Sequence, residues 1–264
     1  MKKKVLGFSL AVLALAGYVL FDEIKWATYE FLIKQDVLKI VDTKEDLTKS
    51  DEIGPIAHAG GKIGDWTYTN SKEALYSALD QGYRFIELDL RKTLDGKYFA
   101  AHKIKEFNAL TGNSYRFLIP PTSSSVRESK INGQLTPLLL SDVAEILKKY
   151  PDVFLVTDKA RDFKALVQEF SNTDRLIVEV SDLGQYYDAL KSGVKYPVMQ
   201  CSDYAKAQKY QVNRVVVSNN VAMTQNASRY LENGGHIFVA SFPKLSDVEP
   251  RFHRKGVLVY VDEK

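Results

Sequence analysis

Short apolar runs alternate with stretches of helical spacing along the chain from residue 56 onward. The runs are rich in β-branched and aromatic side chains, which is typical of strands. Strands that alternate with helices indicate parallel βα units and an α/β fold. The nine runs are Ile56–Ala57, Phe85–Leu90, Tyr98–Ala101, Val153–Val156, Leu176–Val180, Tyr196–Met199, Arg214–Val217, His236–Ala240 and Val257–Val261.

The second and third runs form a hairpin rather than a parallel pair. Only Leu94–Lys97 joins them, and parallel neighbours need a crossover of about a dozen residues or more. Asp95-Gly96 is a typical hairpin turn, and pairing outward from it predicts that His102 lies opposite Asp89. Without the hairpin arm eight parallel strands remain. The sequence therefore predicts a TIM (β/α)8 barrel with an extra hairpin strand after barrel strand 2.

Capping patterns and spacing predict the bounds of the first and last helices. Asn70 is expected to cap the first helix, with Glu73 reaching back to it, and this helix ends near Gly82. A last helix is expected over residues 246–255.

The first 21 residues form a segment of their own. Lys2–Lys4 precede an uncharged run from Val5 to Phe21, which is the layout of an export signal. The run continues past the small-residue site Ala14–Ala16, so we expect an uncleaved transmembrane signal-anchor. A cleaved signal peptide is the alternative. If Lys2–Lys4 stay on the cytoplasmic side, the rest of the chain lies outside the cytoplasmic membrane, in the periplasm or at the cell surface. If the signal is cleaved, the protein is secreted.

The rest of the chain is predicted to form two parts. Residues 22–50 are predicted to be a stalk, and residues 51–264 the barrel domain.

The composition excludes some classes of partner and site. The chain has a net charge of +3, and Lys2–Lys4 account for that excess, so no basic surface favours nucleic acid as a partner. The single cysteine, Cys201, excludes an intramolecular disulfide and a thiolate metal cluster.

Two carboxylates and two histidines are predicted to meet at the carboxyl ends of the first strands. Glu87 and Asp89 alternate along one strand and share a face, to which the hairpin register adds His102. His58 ends the first strand, which neighbours the second in a barrel. A Glu-x-Asp pair offers hard oxygen ligands for Ca²⁺ or Mg²⁺, and two imidazoles can act as acid and base around a phosphate. This set predicts metal-assisted cleavage of a phosphodiester.

Five short motifs then occur in a fixed order within residues 54–104. They are Ile56–Gly61 (IAHAGG), Asn70–Ala74 (NSKEA), Ile86–Leu90 (IELDL), Thr93–Gly96 (TLDG) and Ala100–His102 (AAH). As a set they resemble the glycerophosphodiester phosphodiesterase family. The resemblance implies a TIM-barrel hydrolase that needs a divalent cation, often calcium or magnesium. It assigns general acid and base roles to His58 and His102, and metal binding to Glu87 and Asp89.

The chain departs from the family pattern at several positions. Ala59 stands where the family usually has arginine, Lys103 where it has aspartate, and Thr69 where it often has glutamate. The third metal carboxylate is expected at Thr157, and Asp158 lies one step out of that register. Either a bulge turns Asp158 inward as the third ligand, or two carboxylates and water hold the metal.

Further residues are predicted to contact the substrate. Lys159 matches the family's phosphate-contacting lysine, and Trp66 and Tyr68 lie in the first βα loop, where a glycerol or sugar group could stack. Residues 103–140 form a long polar insertion at the same face. The expected substrate is a small-molecule or lipid-derived phosphodiester of the cell envelope, which implies a role in lipid metabolism.

Two alternatives to hydrolysis stay open. Related barrels that resemble phospholipases transfer phosphate to an internal hydroxyl and give a cyclic phosphate, with the same acid, base and metal. The departures at Ala59, Lys103 and Thr157 favour a second alternative, in which a catalytically degenerate barrel acts as an envelope binding or scaffold protein.

Overall fold

The computed structural model describes residues 24–28, 31–32, 47, 54–221 and 223–264. The chain divides into two compact units, Met1–Val41 and Asp42–Lys264. Within the first unit the described residues are helical. In the described ranges, no helix has both the length and the apolar character that a membrane span requires. The predicted signal-anchor, residues 1–21, lies outside the described residues, as does most of the predicted stalk.

The described residues of the second unit form ten strands, eight of which close into a barrel. The strands are β1 (Gly54–Ala57), β2 (Phe85–Glu87), β3 (Leu90–Lys92), β4 (Tyr98–Ala100), β5 (Phe154–Thr157), β6 (Leu176–Val180), β7 (Tyr196–Gln200), β8 (Arg214–Ser218), β9 (His236–Lys244) and β10 (Val257–Glu263). The barrel order is β1, β10, β9, β8, β7, β6, β5, β2, and β2 pairs with β1 again. All barrel pairs are parallel. The predicted TIM barrel is confirmed.

Helices connect most of the barrel strands. They are α1 (Lys72–Asp80), α2 (Ile104–Leu110), α3 (Ser123–Glu128), α4 (Leu140–Leu147), α5 (Phe163–Phe170), α6 (Leu183–Lys191), α7 (Tyr204–Lys209) and α8 (Gln225–Glu232). The prediction of a helix over residues 246–255 is wrong. That segment contains two short 3₁₀ turns, Leu245–Asp247 and Pro250–Phe252, because Pro250 lacks the N–H that a continuous helix would need.

The barrel interior is filled with side chains. One buried cluster takes residues from all eight barrel strands: Ile56, Phe85, Val156, Ile177, Tyr196, Val198, Val216, Phe238, Leu258 and Tyr260. The interior is thus a packed core, and the space for chemistry lies at the carboxyl ends of the strands.

The predicted hairpin is present, but its register differs from the prediction by one residue. Strand β3 pairs antiparallel with β4, and Lys92 lies opposite Tyr98. Thr93 N–H donates to the Lys97 carbonyl (2.8 Å), so the loop has three residues rather than two. A two-residue type I′ turn requires positive φ at both positions, and here Gly96 has φ +81° whereas Asp95 is not in that region.

The shift in register changes the neighbour of Asp89. Ala101 N–H donates to the Asp89 carbonyl (2.8 Å), so Ala101 lies opposite Asp89 and the prediction of His102 there is wrong. The side chain of Asp95 accepts the backbone N–H of Ser123 (2.8 Å) and the Ser123 hydroxyl, so it fastens the start of α3 to the hairpin turn.

The cap of α1 also differs from the prediction. Ser71 is the N-cap, and its hydroxyl accepts the Ala74 N–H (3.2 Å). Glu73 does not reach back to Asn70, because its carboxylate accepts the backbone N–H and the hydroxyl of Thr136 (2.8 Å each). Asn70 is therefore available for a contact at the site.

Substituting Gly235 tests the packing between α8 and β9. A Cβ at this position would lie 2.4–2.7 Å from three ring atoms of Tyr230, whose side chain is buried. We expect Gly235→Ala to lower the free energy of unfolding by about 1–3 kcal/mol in urea titrations, as overpacking does. In a Tyr230→Leu background the added methyl meets a shorter side chain, so the loss should shrink. An equal loss in both backgrounds would contradict this explanation.

Candidate metal and catalytic site

Three carboxylates meet where β2 and β5 end. Glu87 is the last residue of β2, Asp89 lies two residues further on, and Asp158 follows the last residue of β5. Because β2 and β5 are neighbours in the barrel, one oxygen of each carboxylate lies within 4.8 Å of the others. Glu87 and Asp89 are each only 3% exposed.

The turn after β5 brings Asp158 to this cluster. The strand ends at Thr157, Lys159 has φ +60°, and Ala160 N–H donates to the Asp158 carbonyl (2.7 Å). Thr157 is fully buried, and its hydroxyl donates to the backbone carbonyl of Asp158 (3.2 Å). The structure thus places Asp158 beside Glu87 and Asp89, which is the position that a third metal ligand would need.

Burial and mutual repulsion raise the pKa values of two of these carboxylates. Burial, with the charges of Asp89 and Asp158, raises the pKa of Glu87 well above its usual value. Burial and the charge of Asp89 likewise raise the pKa of Asp158. Asp158 also has a buried oxygen, Oδ1, without a hydrogen-bond partner. A partnerless carboxylate oxygen beside two further buried carboxylates fits the oxygen-rich donor set that Ca²⁺ or Mg²⁺ prefers.

Lys159 and Asn70 hold Asp89 in its ionised form. The Lys159 ammonium pairs with the carboxylates of both Asp89 and Asp158. The Asn70 amide donates to Asp89 Oδ2, and its oxygen accepts the Asp89 backbone N–H (2.9 Å each). Burial opposes the charge on Asp89, but Lys159 and Asn70 outweigh it and lower the pKa of Asp89.

The loop after β1 supports Glu87 and presents His58. Ala59 N–H donates to Glu87 Oε2 (2.7 Å), and Ala59 itself is buried with φ +49°. His58 Nδ1 lies 3.0 Å from Asp262 Oδ1 on β10, the strand beside β1. Because an ionised carboxylate accepts hydrogen bonds only, this pairing assigns the Nδ1 proton to His58 and leaves Nε2 to exchange a proton.

His102 has the same kind of partner. Its Nδ1 lies 2.9 Å from Glu106 Oε2, one helical turn further on in α2. Lys103 and His102 lower the pKa of Glu106, so this carboxylate is ionised near neutral pH and accepts the hydrogen bond. His102 Nε2 is then the atom that can take or give a proton.

Tyr68 contacts both histidines. Its ring centroid is 4.3 Å from that of His58 and 5.9 Å from that of His102, both edge-on. Trp66 lies in the same loop, where its backbone pairs with Ile63. Among the described residues, the aromatic rings that contact His58 are those of Tyr68 and Tyr260. The structure thus brings Tyr68 to the histidines but not the Trp66 ring.

A fourth carboxylate, Glu179 on β6, accepts a hydrogen bond from the Tyr260 hydroxyl. Desolvation raises the pKa of Glu179 to about 7, and the charge of Asp158 adds to the effect. Glu179 lies one residue before the carboxyl end of β6.

In the presence of a chelator, Glu179 should cause the Tm of the protein to fall as the pH rises toward 7. The unfolded chain loses this proton near the usual carboxyl value of 4.5, whereas the folded protein holds it until about pH 7. Raising the pH through that range therefore favours unfolding. Glu179→Gln should reduce the drop in Tm between pH 5 and pH 7.5 in thermal melts. The exposed substitution Glu128→Gln should retain the full drop, and an unchanged drop in Glu179→Gln would refute the assignment.

Sequence reasoning missed the partners of the site residues. Asn70 belonged to a quoted motif but was interpreted as a helix cap. Glu106 stands four residues after His102, a spacing at which helical side chains meet. Asp262 follows the apolar core of the last strand, and its position near a carboxyl end was the available signal.

The fold and the site together define a TIM barrel with clustered carboxylates and two histidines at the carboxyl ends of its strands. Comparison with family models finds no match for this chain, and no curated protein matches it. Solved structures, in contrast, match most of the chain.

Three of these structures carry related names. A glycerophosphodiester phosphodiesterase from Thermotoga maritima is 20% identical, with a TM-score of 0.63 over 81% of this chain and 96% of that one. One from Parabacteroides distasonis is 15% identical, with a TM-score of 0.62 over 81% and 94%. A phosphodiesterase from Oleispira antarctica, solved with its product sn-glycerol-3-phosphate, is 13% identical, with a TM-score of 0.61 over 80% and 93%. The chain therefore has the fold of these enzymes, as the sequence resemblance implies.

Proposed function

We propose that this protein is a metal-dependent phosphodiester hydrolase of the glycerophosphodiester phosphodiesterase type. The observation that carries the proposal is the pair of carboxylate-bound histidines, His58 and His102, which both contact Tyr68 beside the acidic cluster. Two imidazoles whose Nδ1 atoms are fixed by carboxylates can exchange protons at Nε2 on either side of a phosphate.

Glu87, Asp89 and Asp158 are the residues that would hold the divalent cation. When bound, a Ca²⁺ or Mg²⁺ ion supplies positive charge that neutralises phosphoryl oxygens. Asn70 and the Ala59 N–H orient two of these carboxylates, and such supporting contacts govern the affinity of a metal site. The partnerless Asp158 Oδ1 supports this assignment, and the Lys159 ammonium, which pairs with Asp89 and Asp158, marks where these two carboxylates accept positive charge.

The two histidines carry the proton transfers in this proposal. One, with a neutral ring, accepts at Nε2 the proton of the attacking water. The other, protonated, donates from Nε2 to the oxygen of the leaving alcohol. Each imidazolium is stabilised by its carboxylate, Asp262 or Glu106.

Three residues are proposed to contact the substrate. Lys159 supplies an ammonium at the acidic cluster, where it can also meet a phosphate oxygen. Tyr68 is 41% exposed and presents its ring at the mouth of the site, where an alcohol group could pack against it. Trp66 lies two residues earlier in the same loop and would contact only the outer part of a substrate.

The test is an assay of the purified chain on glycerophosphocholine, glycerophosphoethanolamine and bis(p-nitrophenyl) phosphate. We expect turnover with Ca²⁺ or Mg²⁺ and its loss in chelator. Phosphorus NMR should show a phosphomonoester product; a persistent cyclic phosphate would indicate transfer instead of hydrolysis. Turnover that survives chelation, or none on any diester, would contradict the proposal. Metal binding without turnover would favour a binding or scaffold role.

A further inference from the structure

The insertion after His102 exposes a run of large apolar side chains. Tyr115, Phe117, Leu118 and Ile119 are 78%, 52%, 63% and 55% exposed. We call residues 115–119 the apolar loop. Isolated exposed apolar side chains are ordinary, but four large ones within five residues are typical of an interaction site. The insertion that the sequence indicated to be polar thus has an apolar tip.

The backbone of the apolar loop is fixed in this exposed arrangement. The side chain of Asn108 is buried, and its Nδ2 donates to the carbonyls of both Phe117 and Ile119 (3.0 Å each). Leu94 N–H donates to the Pro121 carbonyl (2.9 Å), so the hairpin turn supports the loop from the other side. Leu94 is itself 61% exposed.

Cations lie directly beside these apolar side chains. Lys105 Nζ is 4.9 Å from the centroid of the Phe117 ring, and the Arg116 guanidinium is 5.8 Å from that of Tyr115. The segment from residue 103 to 130 contains five basic residues and two acidic ones: Lys103, Lys105, Arg116, Arg127, Lys130, Glu106 and Glu128. Aromatic and aliphatic side chains bordered by Lys and Arg are typical of segments that lie in the interface of an anionic membrane.

The apolar loop is close to the candidate active site. Helix α2 begins two residues after His102, and Glu106 in its first turn bonds that histidine. The helix has seven residues and is about 10 Å long, so it leads from the site to the loop within the same end of the barrel.

We propose that the apolar loop docks the barrel on an anionic lipid surface and thereby presents the active site to phosphodiesters carried by lipids. The side chains of Tyr115, Phe117, Leu118 and Ile119 enter the interface, and Lys105 and Arg116 meet the headgroup phosphates. The docking stands on the loop alone, whereas the substrate class rests on the proposed function.

Docking is tested by depth-dependent quenching with the full chain. Leu118→Trp places a reporter in the loop, and Tyr76→Trp places one on α1, where a lone exposed tyrosine also lies beside a lysine. Both variants and the parent are combined with phosphatidylcholine–phosphatidylglycerol vesicles, with and without brominated acyl chains. The parent signal, which includes Trp26 and Trp66, is subtracted. Any contribution of the N-terminal segment is common to all three proteins.

We expect bromine to quench the added fluorescence of Leu118→Trp and not that of Tyr76→Trp, and high salt to weaken the effect. Equal quenching of the two reporters, or none, would overturn the proposal. So would a blue shift of Leu118→Trp that grows with protein concentration without vesicles, together with a dimer in sedimentation, because a second copy would then cover the loop.

The substrate class is tested by Phe117→Ser combined with Leu118→Ser. Neither residue belongs to the catalytic machinery, so kcat/KM on soluble bis(p-nitrophenyl) phosphate should stay within about twofold of the parent. On a lysophospholipid held in anionic vesicles it should fall by about tenfold or more. Equal losses on both substrates would overturn the lipid-substrate inference. If no diester is turned over, the proposed function fails, and the quenching experiment still decides the docking.

Discussion

His102→Ala is expected to lower kcat on a phosphodiester by about 10²- to 10⁴-fold, the usual loss for a general acid or base. His102 pairs with Glu106 rather than with the acidic cluster, so the affinity for Ca²⁺ or Mg²⁺ should stay as in the parent. His58→Ala should behave in the same way. Kinetic assays over a range of metal concentrations separate the two effects.

Lys103→Ala is the matched control for this experiment. Lys103 follows His102, is well exposed and pairs with the same carboxylate, Glu106. Its loss should change kcat only slightly, because an exposed ion pair contributes little. Full activity in His102→Ala together with no activity in Asp89→Asn would show that the two-histidine mechanism is wrong.

Glu87→Gln is expected to weaken metal binding by more than about 100-fold. Removing a supporting contact of a metal ligand already reduces affinity by about 10- to 100-fold, and Glu87 is proposed as a ligand itself. The Gln side chain keeps the shape and can still accept the Ala59 N–H, so local folding should persist. Calorimetric titration with Ca²⁺ and Mg²⁺ measures the loss, and Asp65→Asn in the exposed first loop serves as the control.

In the metal-free protein, Glu87→Gln should raise the Tm. Burial and the neighbouring carboxylates raise the pKa of Glu87, which means that its charge opposes folding near neutral pH. A neutral Gln removes that opposition, so Tm in chelator should rise above that of the parent. Tm should then respond little to added metal, since a ligand stabilises only the state that binds it. A variant with lower Tm in chelator and an unchanged metal response would refute a metal site at Glu87.

The barrel and the central site residues could be predicted because they follow from local patterns. Strand alternation places Glu87 and Asp89 on one face, and the end of the first strand places His58 at the same end of the barrel. The hairpin register was missed because Asp95-Gly96 fits both two- and three-residue loops, and the sequence does not show that only Gly96 has a positive φ. His102 nevertheless reaches the site, through its contact with Tyr68 beyond the end of β4.

The supporting contacts could not be predicted because they join distant parts of the chain. Asn70 bonds Asp89 across the first βα unit, and its capping propensity gave an equally good local explanation that proved wrong. The position of Asp158 depends on where β5 ends and on the left-handed conformation of Lys159. The spacing of Thr157, Asp158 and Lys159 in the sequence shows neither of these features.

The pairing of His58 with Asp262 has a consequence for how the protein acquires activity. These residues are 204 positions apart and lie at the ends of β1 and β10, the strands whose pairing closes the barrel. All of the chain between His58 and Asp262 must therefore be synthesised before the first histidine can meet its carboxylate. Contacts of such long sequence separation form late and slowly in folding. Catalytic competence should accordingly appear in a single late kinetic phase, after the intermediate strands have acquired protection from hydrogen exchange.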